Sequence, residues 1–240
     1  MIKLVFRSLA TNITLPLFVS GGLFMINLDI AKANPGACYK KVLAGYGVEA
    51  PDEEKDRALD LCKEATSLAP AECYQEILAG YSLGAPGEEK DRALDLCKKA
   101  TSLAPAGCYK EILSGYSLGA PDDEKELAFE LCKEANSLAP AQCYREILVS
   151  YSLNAPDEEK DRAFELCQEA TSLAPAECYQ EILTGYSLGA PGDEKDRALK
   201  LCKNATSLAP AECYREILAD YSLGAPDDEK ERALELCQGL

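Results

Sequence analysis

Twelve cysteines stand at Cys38, Cys62, Cys73, Cys97, Cys108, Cys132, Cys143, Cys167, Cys178, Cys202, Cys213 and Cys237, and their separations alternate between 24 and 11 residues. Regularly placed cysteine can bind metal, exchange electrons or cross-link. A structural metal site needs clustered ligands such as C-x-x-C with partners nearby. A redox dithiol needs the same close pair or a thiol of lowered pKa. Neither spacing occurs in this chain. An even count behind an export signal reads as a disulfide framework, whereas free buried thiols would require a chain that is not exported. Two pairings suit the spacing: within a unit, as in Cys73 with Cys97, or between units, as in Cys62 with Cys73. The first uses all twelve thiols in six bridges. The second makes five and strands Cys38 and Cys237, so pairing within the unit is preferred.

Other chemistry is thinly represented. The chain has no histidine, which removes imidazole metal ligands and the Ser-His and Cys-His nucleophile pairs. It shows no nucleotide-binding loop, no nucleophile elbow and no evident pair of catalytic carboxylates. A non-enzyme without cofactor or metal is therefore expected. The net charge is −16, the wrong sign for phosphate backbones and for an anionic membrane surface. Against that acidity one row stands out. Lys40, Gln75, Lys110, Arg145, Gln180 and Arg215 recur at one position of a repeat, and such a row of cationic or amide side chains is a candidate binding surface for a protein or peptide. The bland alternative is that these positions drift freely and their cations pair with glutamates of the Glu76 type.

The elements that must position these residues come from a 35-residue repeat. Six copies begin at Pro35, Pro70, Pro105, Pro140, Pro175 and Pro210, the last ending at Leu240. They span 35–69, 70–104, 105–139, 140–174, 175–209 and 210–240. In the second copy Pro70 opens a helix, where its missing N–H costs nothing. Cys73, Tyr74, Ile77, Leu78 and Tyr81 then follow the spacing of an amphipathic stripe. Gly84 is placed to end that helix in the left-handed conformation. Pro86 opens a second helix with Glu88 and Glu89 in its first turn, where the dipole favours acids. Its stripe is Ala93, Leu94, Leu96, Cys97, Ala100 and Leu103, and Glu88 precedes Arg92 by four, a favourable surface pair. Two helices of about 14 and 17 residues on a short turn must lie antiparallel. Repeats of this length bury their faces against one another rather than in a central core. The fold expected is an all-α solenoid of six disulfide-stapled hairpins. Its first helices carry the cationic row, and the acids of its second helices form a solvated face.

The order of small and aromatic residues resembles the tetratricopeptide superfamily, and most of all its Sel-one-like branch. Cys73, Ile77 and Tyr81 take the places of the small residue, the leucine and the tyrosine that mark the first helix of that branch. Ala93 and Ala100 fit the second helix, where Cys97 replaces an aromatic residue. Cysteines in paired helices of an exported array are similar to those of the Helicobacter cysteine-rich protein family. In two respects the pattern departs: Ile-Leu stands for Leu-Gly in the first helix, and the turn is one residue shorter and contains Pro86. The resemblance covers residues 35–240. It implies a superhelical binding scaffold whose first helices line the concave side, with a β-lactam-binding or hydrolysing activity as a remote alternative.

Residues 1–33 stand outside the repeat. Lys3 and Arg7 precede an apolar stretch near Ile13 to Leu28, and Ala31-Lys32-Ala33 follows. That order is a secretory signal peptide with cleavage after Ala33, giving a chain of residues 34–240 with no stable membrane insertion. The expectation is thus a secreted or periplasmic scaffold that binds protein or peptide. A structural or antigenic surface array without a groove ligand is the rival, favoured by how nearly identical the copies are.

Overall fold

In a computed structural model the chain divides into two units, Met1–Lys32 and Ala33–Leu240. The structure describes residues 34–240 apart from 47–48, 82–83, 117–118, 152–154, 185 and 187–188, and apart from the side chains of 150 and 222–223. The expected signal peptide lies outside the described residues.

The repeat array is all-helical among the described residues. Its first hairpin is α1 (Pro35–Leu43) and α2 (Asp52–Cys62), its second α3 (Ala69–Leu78) and α4 (Gly87–Cys97), its third α5 (Ala104–Leu113) and α6 (Asp122–Cys132). The fourth is α7 (Ala139–Leu148) and α8 (Asp157–Cys167), the fifth α9 (Ala174–Leu183) and α10 (Gly192–Cys202), the sixth α11 (Ala209–Leu218) and α12 (Asp227–Cys237). Val149–Tyr151 and Ala219–Gly224 continue α7 and α11 as tighter 3-10 turns.

Local chemistry explains the boundaries. Ser67, Ser102, Ser137, Ser172 and Ser207 each accept a hydrogen bond, at 3.2 Å, from the N–H of the alanine two residues on, which begins the next first helix. The proline that follows has no N–H to satisfy. In α1 the same task falls to Asn34, whose Oδ1 accepts from the Ala37 N–H at 2.9 Å. Each second helix starts after a proline, as at Pro86, whose carbonyl accepts from the Lys90 N–H at 3.1 Å.

Both helices are shorter than the stripe implied, at 10 residues for α3 and 11 for α4. Beyond Leu78 the chain tightens into 3-10 steps, Tyr81 N–H to the Leu78 carbonyl and Gly84 N–H to the Tyr81 carbonyl. Gly84 therefore does not take the left-handed conformation; among the described residues only Gly239 has positive φ. Ala100 and Leu103 lie beyond α4, in the segment leading to α5. Ala100 still reaches the core from that segment, whereas Leu103, expected in the stripe, is 47% exposed.

Within each hairpin one disulfide joins the helices: Cys38–Cys62, Cys73–Cys97, Cys108–Cys132, Cys143–Cys167, Cys178–Cys202 and Cys213–Cys237. Each spans 24 residues, and Cα–Cα distances are 5.6 to 5.7 Å. Ala58, Ala93, Ala128, Ala163, Ala198 and Ala233, all fully buried, leave room for this approach. First helices of successive hairpins pack along their lengths, from α1 on α3 to α9 on α11, whereas successive second helices touch more sparsely. The denser side of the stack is thus the first-helix side.

Candidate functional site

The cationic row forms on the first helices, but its members are engaged. Lys110 pairs with Glu76, Arg145 with Glu111 and Arg215 with Glu181, each carboxylate coming from the preceding hairpin. Gln75 Nε2 donates to the Lys41 carbonyl at 2.6 Å, and Gln180 Nε2 to the Glu146 carbonyl at 2.7 Å. Only Lys40 makes no such bond among the described residues, and no hairpin precedes its own there. The row ties neighbouring units together, because a side chain on one first helix reaches the next at helix-packing distance.

Beneath the row lies a second set of charges that sequence reasoning placed in solvent. Glu54, Glu89, Glu124, Glu159 and Glu194, in the first turns of five second helices, are buried. A buried carboxylate must be paired and hydrogen-bonded, and each of these is. Glu89 accepts from Tyr109 at 2.8 Å and from Arg92 at 3.1 Å, and Lys125 of the next hairpin lies 3.4 Å away. Glu194 is held by Tyr214 and Lys230, both at 2.7 Å. Tyr144 and Lys160 approach Glu124 at 3.1 and 3.0 Å, Lys195 approaches Glu159 at 3.0 Å, and Lys90 approaches Glu54 at 3.0 Å. Arg92 thus turns to Glu89, three residues back, where a pair with Glu88 was expected. The available signal was internal. The Glu-Lys dipeptide is identical in all six copies, while the acid before it varies between Asp and Glu.

Burial, reinforced by the neighbouring carboxylate, pushes the phenols of Tyr74, Tyr109, Tyr144, Tyr179 and Tyr214 well above their ordinary value. Tyr109, Tyr144 and Tyr214 stay protonated as donors to Glu89, Glu124 and Glu194, whereas the buried Tyr74 and Tyr179 hydroxyls have no hydrogen-bond partner among the described residues; none is poised as a base or nucleophile. Burial alone would lower the Lys160 and Lys230 ammonium pKa, but the hydrogen bonds and charges of Glu124 and Glu194 outweigh it and raise both.

Two equivalent clefts open between hairpins on the first-helix side. One, about 440 Å³, lies between the third and fourth hairpins, with Tyr116, Glu124, Tyr144 and Lys160 in its walls and Glu111 and Arg145 among its lining. The other, about 540 Å³, lies two repeats further on, where Tyr186, Glu194, Tyr214, Lys230, Glu181 and Arg215 hold the same places. Ile112, Leu148 and Ala155 add apolar surface to the first. Such a cleft can take a side chain with a polar end, since donors and acceptors of both signs face it. Arg145 and Arg215 of the sequence-derived row thus line these two clefts. All twelve cysteines are oxidised, and among the described residues no group of three acidic or sulfur side chains is placed to hold a metal.

The fold and site together define a disulfide-stapled helical repeat array with inter-repeat clefts. Compared with known protein families, curated proteins and solved structures, the chain matches none. The six bridges fit an oxidising extracellular or periplasmic environment, and no helix among the described residues is long and apolar enough to cross a membrane.

Proposed function

We propose that this chain is a non-catalytic scaffold, secreted or periplasmic, that holds a protein or peptide against its first-helix face, and that it belongs to the Sel-one-like type of tetratricopeptide repeat. One observation carries the reading: the same mixed polar and apolar cleft recurs two repeats apart on one face. An extended partner then meets equivalent contacts at a fixed interval. The frame is preorganised by six disulfides, so little ordering entropy is lost on binding. Arg145 and Arg215, held by single carboxylates, exchange those partners for a ligand carboxylate or carbonyl with the fork geometry of guanidinium. Cleavage after Ala33 leaves Asn34 in place, and Asn34 is the residue that caps α1, so processing preserves the first hairpin.

Peptides selected on the immobilised mature protein test this reading. Selected binders should lose affinity for the variant carrying Arg145→Glu and Arg215→Glu while circular dichroism remains helical. Equal binding to that variant removes the first-helix face from consideration. A second reading, a structural surface array without a groove ligand, is favoured by the pairing of Lys110, Arg145 and Arg215 with glutamates of the preceding hairpin. In that case no peptide is enriched.

A further inference from the structure

On the second-helix face a ladder of charge pairs is incomplete: Arg92 turns to Glu89 instead of the next helix, and at the following rung the arginine itself is missing. Five of the six copies have arginine at one place, Arg57, Arg92, Arg162, Arg197 and Arg232, and the third has Leu127. Three of these arginines reach an acid on the next second helix through Nε: Arg57 to Asp91 at 2.7 Å, Arg162 to Asp196 and Arg197 to Glu231 at 2.9 Å. Leu127 cannot make that bond. Its would-be partner, Asp161, is exposed and has no ion pair among the described residues.

A groove of about 470 Å³ opens at this junction, between α6 and α8. Its floor is Leu127 from one helix and Phe164 from the other, both partly buried against the core. Asp123 and Glu126 of α6 face Asp161 across it, and neither has an ion pair among the described residues. Lys160 is the one cation in the lining, and its ammonium is committed to Glu124 at 3.0 Å and to Asp157 at 3.8 Å. The result is an apolar floor flanked by three carboxylates, Asp123, Glu126 and Asp161, without ion pairs among the described residues, while Glu124, Glu130 and Asp157 of the same lining are paired.

We propose that this groove docks a basic peptide segment that presents one apolar side chain between lysines or arginines. The apolar residue covers Leu127 and Phe164, and the flanking cations meet Asp123, Glu126 and Asp161. Charge complementarity selects the occupant: an acidic peptide is repelled, and a neutral apolar one leaves the carboxylates unmatched. The groove shares Glu124 and Lys160 with the first cleft, but its floor and its Asp123, Glu126 and Asp161 carboxylates lie outside that cleft, so it stands whether or not that assignment holds.

The test uses the mature disulfide-bonded protein and a short fluorescein-labelled peptide with a central leucine flanked on each side by lysines, read by fluorescence anisotropy. Leu127→Arg installs the residue carried by the other copies, which fills the floor and pairs with Asp161. It should weaken binding by about tenfold or more, the scale of leaving one apolar side chain uncovered and one charge pair unmade. Exchanging the peptide's leucine for serine should weaken binding to the wild-type protein by a similar factor. Glu72→Gln, which alters net charge as Asp161→Asn does but lies on a first helix, should leave binding unchanged. If Leu127→Arg disturbs the fold, Asp161→Asn takes its place with the same weakening expected. Undiminished binding to a folded Leu127→Arg or to Asp161→Asn overturns the proposal. So does equal binding of the serine peptide, which would mean that bulk acidity alone attracts the probe.

Discussion

A buried carboxylate between two helical hairpins is stable only because every unit supplies part of its shell. Glu89 takes a guanidinium from its own helix and a phenol and an ammonium from the next hairpin. Removing it leaves Arg92, Lys125 and Tyr109 facing an uncompensated gap. Glu89→Ala should therefore cost about 3–5 kcal/mol, the range for breaking a buried ion pair. Glu76→Ala, which breaks the half-exposed pair with Lys110, should have little measurable effect. Paired urea titrations check this, and similar midpoints for the two variants would refute it. The buried phenols give a pH prediction. Their folded pKa values lie above the unfolded value of 10.0. Below that pH both states keep the proton. Above it the unfolded chain ionises first, so stability falls as pH rises past about 10. Thermal melts from neutral to alkaline pH should show that decline. Tyrosine ionisation that runs to completion before any loss of helicity would contradict it.

At the scale of the element, neither helix of a hairpin is long enough to persist alone, since isolated helices of this length are marginal in water. The disulfide and the inter-helix core hold them. A bridge closing a loop of this size contributes roughly 3–4 kcal/mol by limiting the unfolded chain. Replacing Cys73 and Cys97 together by alanine should destabilise the second hairpin by that order. Hydrogen exchange should rise mainly in α3 and α4, spreading weakly to α1 and α5. Uniform exchange throughout the array would argue against local stapling. Gln75→Ala is no neutral control, because that side chain bonds the Lys41 carbonyl of the preceding hairpin; Glu72→Ala is the better one.

Across the whole array stability is a sum over neighbours. Leu61, Leu96, Leu131, Leu166 and Leu201 are each covered by the hairpin that follows, and Leu201 is 5% exposed. Leu236 holds the same place in the sixth hairpin and is 69% exposed, since no further hairpin lies on it among the described residues. Deleting residues 210–240 should then move the exposed face back to Leu201 and leave the other five hairpins folded. Helicity per residue should hold and the denaturant slope should fall roughly in proportion to the surface removed. A collapse of helicity on deletion would show that the array depends on contacts beyond nearest neighbours.

Sequence alone determined the repeat, its register and the two helices of each unit, because every copy repeats the same answer. Parity made pairing within the hairpin the preferred of two pairings, and the structure decided it. The cationic row at Lys40, Gln75, Lys110, Arg145, Gln180 and Arg215 was equally legible as a pattern. Pairing of its cations with glutamates of the Glu76 type was one of two readings the sequence left open; the fold shows that Glu76, Glu111 and Glu181 do meet it, from the preceding hairpin some 34 residues away in the chain. The tertiary structure likewise decided that Glu54, Glu89, Glu124, Glu159 and Glu194 are buried. A helical first turn favours acids whether they face water or a neighbour, so local spacing could not distinguish the two. Helix ends also needed the fold, since Tyr81, in the apolar stripe, lies past the end of α3 and its N–H bonds the Leu78 carbonyl in a 3-10 step. The clefts at Arg145 and Arg215, and the groove at Leu127, exist only where one unit meets the next. Their walls come from residues whose proximity is set by stacking distance and not by the order of the chain.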